Sequence, residues 1–175
     1  MAKNCLNKLA FSVIRGCTIN PVGVKNIYLM HAEDVTFTFT NNPRSIAKVT
    51  FASGARSYLV EGYKQNIQVN GSLKSLDASA TMDASVTFKV PHSPGTVGFV
   101  DTITTGKFCV LVLFNNTDQV VLGSTIPLEC SAADFDSNAN ANMITITLAT
   151  PEGAAGCHMV IPTNGARDMI ISKSV

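Results

Sequence analysis

Three histidines, five cysteines and one acidic loop are the residues of this chain whose types could do chemistry. His31, His92 and His158 are scattered, and only His158 has a partner close in sequence, the adjacent Cys157. Neighbours on a strand point to opposite faces, so Cys157 and His158 cannot easily chelate one ion. The cysteines are Cys5, Cys17, Cys109, Cys130 and Cys157, and no two lie within ten residues of each other. That spacing excludes C-x-x-C metal and redox motifs. Free thiols, partly buried in a reducing compartment, are the expectation, with a Cys5–Cys17 disulfide left open. Cys109 sits inside an apolar run, which disfavours a thiolate, and reads as core packing.

Asp134 and Asp136, followed by Asn138, Asn140 and Asn142, place oxygen ligands at every second position, a pattern that could hold calcium. Ala139 stands where an EF-hand loop needs glycine, and the closing glutamate is missing, so a solvated, turn-forming loop is the expectation. No G-x-S-x-G elbow, Walker A motif or G-x-G-x-x-G fingerprint occurs. Asn70-Gly71-Ser72 and Asn115-Asn116-Thr117 fit the glycosylation pattern but read as turns without a signal peptide. The residues therefore point to no catalytic, cofactor-binding or metal site, and the chain is expected not to be an enzyme.

The elements that would position these residues are strands. Asp34–Thr40, Ser85–Val90 and Asn142–Leu148 alternate apolar residues with Thr, Ser or Lys, the signature of strands with one face in a core. Lys107–Phe114 (KFCVLVLF) is almost continuously apolar and reads as a central strand covered on both faces. The polar turn Asn115–Asp118 leads back through Gln119–Leu122, which predicts a hairpin. Weaker strands are expected at Lys25–His31, Ile46–Phe51, Ser57–Gly62, Asn66–Val69, Met159–Pro162 and Met169–Ser172. Asn70-Gly71 predicts a type I′ turn. Ser131–Ala141 reads as an exposed loop and Pro151–Gly156 as a turn. One helix is expected, Gly95–Thr105, with Val97, Val100 and Ile103 or Thr104 on its buried face and Gly106 as its stop. The fold class expected is mainly β: a single domain over residues 1–175, an antiparallel β-sandwich or small barrel with one short flanking helix.

Composition narrows the role. Charged residues are 14% of the 175 and hydrophobic residues 46%, whereas globular proteins average about a quarter charged. Flanks so poor in charge suit a subunit that buries them against neighbours. The net charge of +1 and the lack of a basic run beyond Arg44 and Lys48 give no nucleic-acid footprint. The nine Phe, three Tyr and absent Trp offer no aromatic platform for bases or sugars; Phe37, Phe39, Phe88 and Phe114 fall on strand patterns as core or subunit contact. No signal peptide or membrane-length apolar run is recognisable, so synthesis in a cytoplasm and no membrane partner are expected.

One order of elements resembles a known family. A helix ending at Gly106, then KFCVLVLF, NNTD, QVVLGSTIPLE, the loop SAADFDSNANAN and the strand MITITLAT follow the C-terminal half of phage tail tube proteins, especially those of phages and prophages of gut Bacteroidetes. GCTINPVGVKNIYLMHAEDV looks like the first strands of such proteins. The resemblance covers about two thirds of the chain and rests on order and texture. It implies subunits joined edge to edge into rings, rings stacked into a tube, and DNA passing through the lumen without specific binding. The partners it implies are further copies of the chain and other virion proteins; the location is the virion, after synthesis in a host bacterial cytoplasm. Ser131–Ala141 and Arg44–Tyr63 are its candidate contacts between subunits or rings. A capsid-decorating or head–tail connector protein, or a ligand-binding sandwich, are the competing readings.

Overall fold

The structure, a computed structural model, describes residues 23–62, 66–76, 79–135, 143–152 and 159–175, with backbone alone for 73–76 and 79–82. It is mainly β, with two helices. The strands are β1 (Val24–His31), β2 (Val35–Phe39), β3 (Ser45–Phe51), β4 (Ser57–Glu61), β5 (Ile67–Leu76) and β6 (Ser79–Pro91). After helix α1 (Pro94–Thr105) come β7 (Lys107–Phe114), β8 (Gln119–Leu122), β9 (Leu128–Phe135), β10 (Met143–Ala149) and β11 (Ile161–Pro162). Helix α2 (Asn164–Ser172) follows.

Eight strands form one antiparallel sheet in the order β4-β1-β7-β9-β10-β6-β5, with β8 also on β7. The sheet curls until β1 touches β5, and its concave side encloses Ile27, Leu29, Val86, Phe88, Val110, Val112, Ile146 and Leu148. The smaller sheet, β11-β3-β2, packs with α2 on the outer side of β1 and β7. There Tyr28, Met30, Cys109 and Leu111 meet Ile46, Val49, Ala166 and Ile170. β1 and β7 are thus a wall shared by two cores, and successive side chains enter alternate cores. This is why KFCVLVLF needs no polar face. One fully buried Leu or Phe contributes about 1.5–3 kcal/mol, and residues 108–112 of β7 are all buried.

Helix α1 begins at Pro94, where proline's missing N–H costs nothing. The Ser93 amide donates to Thr96 Oγ1 at 2.8 Å, tying down the first turn. The buried face is Phe99, Val100 and Ile103; Val97, expected there, is exposed. Gly106 ends the helix by close packing: a Cβ there would lie 2.6 Å from the Phe108 ring.

Four other expectations are overturned. Asn70 and Gly71 form no turn, since they pair with Ser85 and Ala84 inside a β5–β6 ladder running to Leu76 and Ser79. Ser131–Phe135 is not loop but the outer half of β9, paired with β10 up to Ile144↔Phe135; backbone pairing overrides its small polar composition. Residues 136–142, the remainder of that loop, lie outside the described residues. Met169–Ser172 is the last part of α2 and not a strand. Thr163 Oγ1 caps that helix by accepting from the Ala166 amide at 3.3 Å, and Ala166 and Ile170, four apart, reach the core. β11 is shorter than expected, and Val160 before it makes an isolated bridge to Val121.

Candidate assembly surfaces

The residues singled out for chemistry are held apart. His31, at the end of β1, packs its ring 4.8 Å from Phe108 and 6.1 Å from Tyr58, edge-on to the latter. With Leu29, Phe99, Thr102 and Ile103 these rings line a small cavity of about 140 Å³. His92 follows β6 and rests 4.7 Å from the ring of Phe135. Cys157 and His158 lie outside the described residues, as do Cys5, Cys17, Asp136, Asn138, Asn140 and Asn142. Asp134 is exposed on β9, opposite Thr145. Among the described residues no three His, Cys, Asp or Glu side chains converge as metal ligands.

Cys109 and Cys130 are free thiols. Cys109 is buried in the second core, where its Sγ donates to the Gly123 carbonyl at 3.1 Å. Half-burial pushes the Cys130 thiol above its ordinary value, with a contact to the Ala132 backbone working against the shift. The surroundings of Cys130 therefore do not favour its thiolate, the form a nucleophile needs.

The rims of the two sheets are less complete than their interiors. Among the described residues β2 pairs with β3 alone, and β5 with β6 alone. β2 turns Thr36 and Thr38 to solvent and Phe37 and Phe39 toward the second core. β10 leaves β6 at Ser85↔Ala149, yet β5 and β6 continue paired for five further positions beyond Gly71↔Ala84, to Leu76↔Ser79. Ser72–Leu76 and Ser79–Asp83 therefore form a two-stranded ribbon extending past the third strand. A ribbon of two strands is marginally stable in water by itself.

β4 differs from these rims. The Ser57 amide donates to the Lys173 carbonyl at 3.1 Å, and the Val175 amide donates to the Ser57 carbonyl at 3.1 Å. The Ser57 hydroxyl, fully buried, donates to the Ile170 carbonyl at 2.7 Å. The residues after α2 thus cover the start of the β4 edge. Sequence reasoning missed this, because its contacts span more than a hundred residues and Ser57 looks like any strand serine.

Of the candidate contact segments, Arg44–Tyr63 supplies β3, β4 and the turn between them, with Tyr63 outside the described residues. The exposed apolar side chains are spread out: Phe135 on β9, Ile161 on β11, Tyr58 on β4 and Met169 on α2. No helix among the described residues is long and apolar enough to cross a membrane.

Fold and surface together define a β-rich module in which, among the described residues, the outer edges of β2 and β5 have no strand partner. No protein-family model, curated protein or solved structure matches the chain.

Proposed function

We propose that this chain is a non-enzymatic virion structural protein that assembles into rings, the rings stacking into a phage tail tube that conducts DNA. The observation that carries the reading is the β5–β6 ribbon together with the outer edges of β5 and β2, which are unpaired among the described residues. An open edge presents a row of backbone donors and acceptors that another copy can satisfy. A ribbon of marginal stability gains most from being gripped by a neighbour. The charge content of 14% supports the same reading, since repulsion between closely packed copies is then small. Closed rings remove edges that would otherwise recruit chains without limit. The partners in this reading are further copies and other virion proteins, with DNA passing unbound through the lumen. Its location is the virion, reached after synthesis in the host cytoplasm.

The test is light scattering coupled to gel filtration, with negative-stain images of the concentrated protein. A mass many times 18.5 kDa, with rings or tubes in the images, is expected. A monomer at every concentration would overturn the proposal. Compact trimers without stacking would replace it with a capsid-decorating role.

A further inference from the structure

We infer that the concavity between the β3–β4 turn and the end of α2 is a binding site for a phosphate-class oxyanion. It measures about 380 Å³ and is lined by Gly54, Ala55, Arg56, Ser172, Lys173 and Ser174. Two cations border it, and no carboxylate is among the lining residues. Lys107 meets Glu129 at 3.1 Å and Arg167 meets Asp168 at 2.7 Å. Arg56 and Lys173 make no ion pair among the described residues.

The backbone contributes as well. Gly54 has φ +81° and open space where a Cβ would stand. Its amide and that of Arg56 donate no hydrogen bond among the described residues, whereas Ala55 donates to Ala52 O at 3.1 Å. Idle amides beside a cationic pair are the donors an oxyanion needs.

The C-terminal end of a helix ordinarily repels an anion. Here three of its carbonyls are already engaged. Ile170 O accepts from Ser57 Oγ at 2.7 Å and from the Lys173 amide at 3.2 Å. Ile171 O accepts from the Ser174 amide at 3.1 Å, and Met169 O from Ser172 Oγ at 2.8 Å. The concavity is thus bordered by two cations and by backbone amides without an acceptor among the described residues. A doubly charged tetrahedral oxyanion matches two cations better than a single carboxylate does, and arginine's fork suits it.

Calorimetric titration of the full chain with inorganic phosphate tests the site, and it reads binding whether the chain is monomeric or assembled. Saturable binding is expected. Arg56→Gln and Lys173→Gln should each weaken it about tenfold, while Arg167→Gln leaves it unchanged. Affinity should also fall between pH 7.5 and pH 5, because inorganic phosphate takes up a proton and loses its second charge across that range. A short oligothymidylate, titrated in parallel, separates the two sources of the anion. Tighter binding of the oligonucleotide through the same two residues assigns the site to a nucleic-acid backbone; binding of inorganic phosphate alone assigns it to a free phosphate or phosphomonoester. Absence of saturation, equal binding of acetate, or indifference to both substitutions would overturn the inference.

Discussion

Replacing Gly123 by alanine should destabilise the protein far more than the same change at Gly54, although both glycines share a left-handed backbone. Their φ angles are +79° and +81°, so each substitution incurs the same conformational strain, about 1 kcal/mol. The surroundings differ. At Gly54 nothing lies within 4 Å of an added Cβ. At Gly123 the Cβ would stand 2.7 Å from the Phe108 carbonyl oxygen and 3.3 Å from Cys109 Cα and the Leu128 amide nitrogen. All three are backbone atoms of strands that are themselves buried, so no side chain can swing aside. Moving them would also stretch the Cys109 Sγ to Gly123 O contact of 3.1 Å. Overpacking of this kind adds about 2 kcal/mol or more, for a total near 3 kcal/mol. At roughly 3 °C per kcal/mol for a chain of this size, the expected loss in melting temperature is about 3 °C for Gly54→Ala and about 10 °C for Gly123→Ala. The assay is thermal and urea unfolding followed by circular dichroism, at one protein concentration and without phosphate, because assembly and ligands both raise apparent stability. Equal losses for the two variants would show that the close approach of β7 to the β8–β9 kink is not what that glycine serves.

Ser57→Ala should cost about 1 kcal/mol, read from urea unfolding, since it removes a buried hydrogen bond but leaves the Ile170 carbonyl its second donor, Lys173 N–H; amide exchange at Val175 should accelerate at the same time. The raised Cys130 thiol binds its proton more tightly in the folded chain. Its contribution to stability is therefore complete at neutral pH and declines as pH rises past the ordinary thiol value, and Cys130→Ala should flatten that alkaline decline in melting temperature. Deleting residues 73–82 and rejoining the strands should leave the circular dichroism of the body intact but abolish assembly in gel filtration; assembly at wild-type mass would remove the ribbon from the proposed mechanism.

Legibility in the sequence followed how local each cause was. Alternation in Ser85–Val90 and in Asn142–Leu148 placed the second half of β6 and β10, because a period of two is written into neighbouring residues. The unbroken apolar run of β7 correctly implied cover on both faces. What was misread had distant causes. Asn70-Gly71 carries a strong local turn signal, but ten rungs of pairing with β6 hold it extended. Ile170 and Ile171 favour strand by type, and α2 forms because Thr163 caps it and Ile170 finds the second core. Ser131–Phe135 has loop composition, and β10 supplies its ladder. The concavity at Arg56 and Lys173 was invisible for the same reason: the two cations are 117 positions apart in the sequence, and the bridge Ser57↔Ser174 and the Ser57 hydroxyl's bond to Ile170 bring them together.

The shared wall explains why such a chain can combine a firm interior with open rims. Ile27 and Leu29 enter one core while Tyr28 and Met30 enter the other. A slip of one residue in β1 would exchange every one of these side chains between cores of different shape, so its register is strongly held. β7 is fixed in the same way by Val110 and Val112 against Cys109 and Leu111. Stability is thereby concentrated in the middle of the sheet, and the outermost strands contribute less. β2, with Thr36 and Thr38 in solvent, and the distal ribbon can then remain available for pairing without endangering the fold. In the proposed assembly the joints are drawn from these peripheral strands. A polar or charged substitution on them, such as Thr38→Lys on β2, should therefore weaken association while leaving the unfolding free energy of the isolated chain within about 0.5 kcal/mol.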